Sequence, residues 1–166
     1  MIESEYLKDN LNYVDKLSKV PSLADFSRKD LKGILEMSKI RQYEPGEMIL
    51  EEGVFDCWVY FLISGKIKVK KHDEILGVLR RTGDVFGEMG IIDGSPRSAS
   101  LYAIDETVCL ATDSSYVDRL SGSEKTSFSC ILYRIFSAIL ANRLRTTSEE
   151  LIKLKEGNGK AKRADA

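Results

Sequence analysis

The sequence predicts an α+β fold: an antiparallel β-sandwich or barrel with helices at both ends. Three observations carry this. Turn signals recur densely after Tyr43, at Pro45-Gly46, Glu52-Gly53, Ser64-Gly65, Lys71 to Asp73, Thr82-Gly83-Asp84 and Gly94-Ser95-Pro96. The runs between them are short and rich in β-branched and aromatic residues, as strands are. At the two ends of the chain, apolar residues repeat at helical spacing instead. No alternation of strand and helix appears, which excludes a Rossmann-like fold.

At the N-terminal end, Leu7, Leu11, Val14 and Leu17 predict a helix over Glu5 to Val20, stopped by Pro21. A second helix is expected over Ser27 to Met37. Ser27 is placed to cap it, with Asp30 as the capping-box partner and Leu31, Ile34 and Leu35 facing inward. Strands are expected over Met48 to Glu51, Trp58 to Ile63, Lys66 to Lys70, Ile75 to Arg80, Ser98 to Ile104 and Thr107 to Thr112. Lys66 to Lys70 alternates strictly between apolar and charged residues, as a half-exposed strand does. A short helix is expected over Ser114 to Leu120, a break at Ser121-Gly122-Ser123, and then a long helix over Glu124 to Lys155. Gly157-Asn158-Gly159 is expected to end that helix. The chain thus divides into an N-terminal helix (1–20), a roll with flanking helices (21–122), a long helix (123–156) and a disordered tail (157–166).

Composition narrows the function. A chain of 166 residues suits one compact domain, and a net charge of −1 supplies no field to recruit nucleic acid or a membrane. No apolar stretch approaches the roughly 20 residues of a membrane span, and Met1 to Glu5 lacks the order of a signal peptide, so a cytoplasmic location is expected. Cys57, Cys109 and Cys130 are odd in number and widely spaced, which predicts buried free thiols. The single histidine, His72, lies in a polar turn, and no metal site is expected. No nucleophile–base set is present, so no catalytic residue is named and no enzyme is expected.

The most informative segment is Phe86-Gly87-Glu88-Met89-Gly90-Ile91-Ile92-Asp93-Gly94-Ser95-Pro96-Arg97-Ser98-Ala99. One helical turn over Glu88 to Ile92 fits between a strand ending near Phe86 and the turn at Asp93-Gly94. Gly87 lets the backbone approach a ligand closely, and the N–H groups of the helix start attract an anion. Arg97 on the following strand has a planar fork that suits two phosphate oxygens. Glu88 repels a phosphate, but it suits a ligand that also offers a hydroxyl donor. The combination predicts a sugar phosphate of low charge. Spacing excludes a Walker loop and a dinucleotide fingerprint. Three glycines serving turns alone, and an Arg–Glu ion pair, are the plainer alternative.

This segment resembles the phosphate-binding cassette of the cyclic-nucleotide-binding domain family, which includes the bacterial catabolite activator protein and the regulatory subunits of cAMP-dependent protein kinase. Tyr43-Glu44-Pro45-Gly46-Glu47 with Ile49 and Glu52-Gly53, Tyr60 to Gly65, and Gly83-Asp84-Val85-Phe86 match as well, in order. The resemblance implies an eight-stranded, jelly-roll-like β-roll (a double-stranded β-helix). It implies that Phe86, Gly87, Glu88, Met89, Arg97, Ser98 and Ala99 line the ligand site, with Arg97 and Ser98 on the cyclic phosphate and Glu88 on the ribose 2′-OH.

Late in the long helix, Leu140, Leu144, Thr147, Leu151 and Leu154 step by four and three, the spacing of a coiled-coil seam. They are expected to form a homodimer interface, with packing against the chain's own domain as the alternative. Leu140 to Glu149 is similar to the dimerisation helix of the catabolite activator protein. That similarity implies that Thr147 and Ser148 read adenine, Ser148 from the partner subunit, and that Arg143 lies near the nucleotide. cAMP is the expected ligand. Ser98, which in relatives can bond guanine, keeps cGMP open. No helix-turn-helix fits in Gly157 to Ala166, so no direct nucleic-acid binding is expected. The expected role is a regulatory module signalling through the helix to a protein partner. The alternatives are the sensory part of a longer transcription regulator and an interaction module that has lost its ligand, with Glu88 paired to Arg97.

Overall fold

A computed structural model of the chain describes residues 1–7, 11–19, 23–24 and 26–164, without the side chains of 11, 12, 16, 124, 150, 154 and 156–164. Two antiparallel sheets face each other. One has five strands in the order β1 (Ile2–Glu3), β2 (Ser38–Tyr43), β9 (Thr107–Asp113), β4 (Trp58–Ser64) and β7 (Val85–Phe86). The other has four, in the order β3 (Met48–Leu50), β8 (Ser100–Ala103), β5 (Ile67–Lys71) and β6 (Glu74–Leu79). The helices are α1 (Leu11–Leu17), α2 (Arg28–Glu36), α3 (Met89–Asp93) and α4 (Gly122–Ala164), with a 3-10 helix at Ser114–Arg119.

Strand β4 explains why the middle of the sequence carries continuous apolar runs. Its residues alternate between two buried faces. Tyr60 and Leu62 join Phe86, Cys109, Ala111, Ile67 and Leu101 between the sheets. Val59 and Phe61 point the other way, joining Leu110 and the inner faces of α2 and α4. The five-stranded sheet is therefore sandwiched between the second sheet and a layer of helices.

Helix α2 starts as its sequence dictates. Ser27 Oγ accepts the Asp30 N–H at 3.2 Å and Asp30 Oδ2 accepts the Ser27 N–H at 3.2 Å, a complete capping box. Where α2 meets β2, the buried Ser38 hydroxyl donates to Ile34 O at 2.6 Å and bonds Thr112 at 2.8 Å, so no polar group is orphaned in that corner.

Several expectations are corrected. Nine strands form among the described residues rather than eight. Strand β2 went unpredicted because it follows α2 after a single residue, with Lys39, Arg41 and Gln42 obscuring its pattern. Helix α1 is shorter than Glu5 to Val20. The preceding segment lies along β2, through the Ile2–Gln42 pairing and the bonds Ser4 N–H to Ile40 O and Leu7 N–H to Ser38 O, and this path precludes helix from Glu5 to Leu7. Pro21, the expected stop, and the Leu11 side chain lie outside the described residues. Helix α4 runs through Gly157-Asn158-Gly159 to Ala164, past the expected end and into the expected disordered tail. A helical glycine costs about 1 kcal/mol relative to alanine and does not by itself force a stop. Of the three cysteines, Cys109 alone is buried; Cys57 and Cys130 are exposed.

Among the described residues, no helix is long and apolar enough to cross a membrane.

Candidate functional site

The site is built where β7 ends against β4. Asp84 shapes the approach, its Oδ2 accepting the N–H groups of Arg80 at 3.0 Å and Arg81 at 2.9 Å. Strand β7 then pairs with β4, and the Phe86 ring stacks parallel on Tyr60 with centroids 5.0 Å apart. Burial pushes the Tyr60 phenol upward, and its hydroxyl accepts Arg41 Nη1–H at 2.6 Å.

Gly87 follows with φ +84°, the left-handed region where a side chain is strained. A Cβ there would lie 2.9 Å from Trp58 O and 3.0 Å from Arg97 Nη1. Glycine is required for both reasons, conformation and close approach. The chain then makes the single short helix α3, closed by Gly94 in a left-handed cap. Gly90 lets the return strand pass, since a Cβ there would meet Ser95 O at 2.6 Å.

Arg97 is buried and thoroughly held. Its Nε–H donates to Asp56 Oδ2 at 3.0 Å, Nη2–H donates to Asp56 Oδ1 and to Trp58 O at 2.6 Å, and Nη1–H donates to Gly87 O. Its backbone is clasped to the β3–β4 loop as well, through Arg97 N–H to Val54 O and Gly53 N–H to Arg97 O, both 2.9 Å. Asp56 is the functional neighbour that sequence reasoning missed. Nothing in the motif marks a residue 41 positions upstream.

Glu88 is wholly buried, at 0% exposure. Its Oε1 accepts Arg143 Nη1–H from α4, and Arg143 Nη2–H donates to Val85 O. The other oxygen, Oε2, has no hydrogen-bond partner, the one such buried side-chain atom among the described residues. The alternative pairing of Glu88 with Arg97 is therefore corrected: each has a different partner, because α4 brings Arg143 to Glu88 while the β3–β4 loop brings Asp56 to Arg97.

A cavity of about 620 Å³ opens over these groups. Phe86, Gly87, Glu88, Met89, Arg97, Ser98, Ala99, Arg143 and Thr147 all border it, nine of the ten predicted ligand residues. The tenth, Ser148, is exposed on α4 and does not line it. The opposite wall, from β5 and β6, is Val69, Lys71, Leu76, Val78 and Leu79. A buried acceptor with an unused lone pair, an arginine under the glycine turn and an apolar wall suit a ligand with a hydroxyl, a negative charge and a flat apolar part. Among the described residues no group of three or more His, Cys, Asp and Glu could hold a metal ion.

Residues 40–123, which include the whole Phe86 to Ala99 segment, match the model of the cyclic nucleotide-binding domain. The chain belongs to that family. As a cyclic nucleotide-binding domain it is 36% identical over 84 residues to a cGMP-dependent protein kinase of Toxoplasma gondii, a match covering 51% of this chain and 8% of the kinase. It is 31% identical over 114 residues to a cAMP-dependent protein kinase regulatory subunit of Debaryomyces hansenii, covering 68% of this chain and 25% of the subunit. Among solved structures it is similar to the Thermus thermophilus catabolite activator protein, with 27% identity and a TM-score of 0.64, covering 81% of this chain and 63% of that one. The chain thus spans a small part of the curated relatives it matches.

The long helix divides into two parts. Between residues 131 and 139 it buries Ile131, Leu132, Ile135, Phe136 and Ile139 in the core that it shares with α1 and α2, so there the helix packs on its own domain. Beyond them Leu140, Leu144, Thr147 and Leu151 are exposed, Leu144 at 70%. The Leu154 side chain lies outside the described residues.

Proposed function

We propose that this domain binds a cyclic nucleotide, cAMP in preference to cGMP, in the cavity over Glu88 and Arg97, and that occupancy is transmitted through α4. The observation that carries the reading is the buried, unpartnered Oε2 of Glu88, a residue that borders the cavity. Leaving a buried acceptor unmade costs on the order of 1–3 kcal/mol, and a ribose 2′-OH would relieve it. Phe86, Gly87, Met89, Arg97, Ser98 and Ala99 are the remaining cassette contacts.

The base would lie toward α4, where Thr147 borders the cavity and Arg143 joins α4 to Glu88. A ligand reaching Glu88 acts on the same ion pair that anchors α4. That supplies the differential affinity a conformational signal requires. The exposed face of Leu140, Leu144, Thr147 and Leu151, extended by Leu154, would meet the same face of a second copy and bring Ser148 over the partner's base. Residues 21–122 are then the sensing unit and 123–156 the transmitting one, acting on a downstream protein in the cytoplasm without chemistry of its own.

Calorimetric titration with cAMP and with cGMP tests this. Micromolar or tighter binding, stronger for cAMP and lost in Arg97→Ala, is the expected result. No heat from either nucleotide in ligand-free protein would refute it. Equal cAMP affinity in a Thr147→Ala, Ser148→Ala variant would remove the adenine-reading role alone.

A further inference from the structure

Among the described residues, two of the three cations bordering the cavity are already matched by carboxylates. Arg97 commits four of its five guanidinium N–H groups, two to Asp56 and one each to Gly87 O and Trp58 O. Arg143 is paired with Glu88 and with Val85 O. A phosphate arriving in the cavity therefore finds one unused donor on Arg97 and almost no uncompensated charge there. The third cation is Lys71, the last residue of β5. It borders the cavity, is exposed, and makes no ion pair or side-chain hydrogen bond among the described residues.

The hairpin carrying Lys71 is tethered. Its turn residues His72 and Asp73 are both left-handed, with φ of 46° and 72°. Glu52, from the turn after β3, reaches across to this tip. Its Oε2 accepts the His72 backbone N–H at 3.1 Å, and its Oε1 lies 2.9 Å from His72 Nε2. Glu52 is itself anchored, its own N–H donating to Ser100 Oγ at 2.9 Å. The β5–β6 tip is thereby tied to the β3–β8 side of the sheet, which fixes the wall carrying Lys71, Leu76 and Val78.

We propose that Lys71 is an additional ligand-binding residue, the cation that compensates the negative charge of the cyclic phosphate, and that the Glu52–His72 clasp is the device that positions it. This rests on the reading of the cavity as a cyclic-nucleotide site. A lysine suits the role because its ammonium is a point charge on a flexible stem, able to close on a phosphate to which Arg97 offers one remaining N–H.

The test is titration of the whole chain with cAMP at several salt concentrations. Lys71→Gln is expected to weaken binding about five-fold at low salt and to flatten the salt dependence, because one screened charge contact is gone. Lys71→Arg restores most of both. Glu52→Gln is expected to weaken binding about two-fold with the wild-type salt dependence kept, because it loosens the clasp without removing the cation. Wild-type binding with affinity and salt dependence unchanged in Lys71→Gln overturns the assignment while leaving the functional reading standing. Failure of the wild type to bind either cAMP or cGMP overturns both.

Discussion

Asp56 and Arg97 are joined at two points, Oδ2 to the Nε–H at 3.0 Å and Oδ1 to an Nη2–H, across 41 positions of sequence. The pair ties the Phe86 to Ala99 segment to the β3–β4 loop, and the same guanidinium reaches Gly87 O and Trp58 O. One side chain thus holds three parts of the site in register. It is preorganised before any ligand arrives, which lowers the ordering cost of binding.

Replacing Asp56 by Ala leaves a buried guanidinium short of its counter-charge. Asp56 is partly exposed, at 29%, so water softens the loss. The expected cost is about 1–3 kcal/mol, read as a lower denaturation midpoint, together with weaker cyclic-nucleotide binding as Arg97 loses its fixed orientation. Tighter binding in Asp56→Ala would show instead that Asp56 competes with the ligand for Arg97.

Gly87→Ala is expected to be worse than an ordinary surface change. A left-handed alanine costs roughly 1–2 kcal/mol, and its Cβ would press on Trp58 O at 2.9 Å, a backbone atom in a paired strand that cannot swing aside. Thermal melting should fall by several degrees and ligand binding should be lost. A melting curve matching the wild type contradicts this account.

These two residues mark the boundary of what the sequence discloses. Gly87, Glu88 and Arg97 stand in one segment whose spacing carries its own meaning, and the capping box at Ser27 and Asp30 is equally local. Asp56 and the Arg143–Glu88 contact depend on tertiary approach between elements far apart in the chain. The two-residue strand β1 is too short for alternation to register, and β2 is masked by its own basic residues. The extension of α4 beyond Gly157 is the opposite case, in which a local breaker does not outweigh the helix already propagating into it.

The cysteines give a prediction on ionisation. Burial pushes the Cys109 thiol up to about 12 from an ordinary 9.0. Between those values the unfolded chain ionises while the native chain does not. The stabilising contribution is therefore intact below pH 9 and is lost progressively as pH rises to about 12. A colorimetric thiol reagent at pH 8 should modify exposed Cys57 and Cys130 and spare Cys109 until denaturant is added. Release of three equivalents from folded protein contradicts the burial.

The exposed half of α4 yields the last prediction. Leu140, Leu144 and Leu151 lie on a part of the helix that has passed the last of the buried core positions at Ile139. If the chain acts alone, Leu144 at 70% exposure contributes little, and Leu144→Asp leaves mass and stability unchanged. If the face pairs with a second copy, the same change buries two carboxylates against each other. That should raise the dimer dissociation constant at least ten-fold. Sedimentation equilibrium over a range of concentrations separates the cases. The expected result is a wild-type dimer converted to monomer by Leu144→Asp, with the β-roll still folded by circular dichroism. A monomer in both proteins would leave the Leu144 face without a partner copy, and the proposed transmission from Glu88 through Arg143 would have to leave the domain another way.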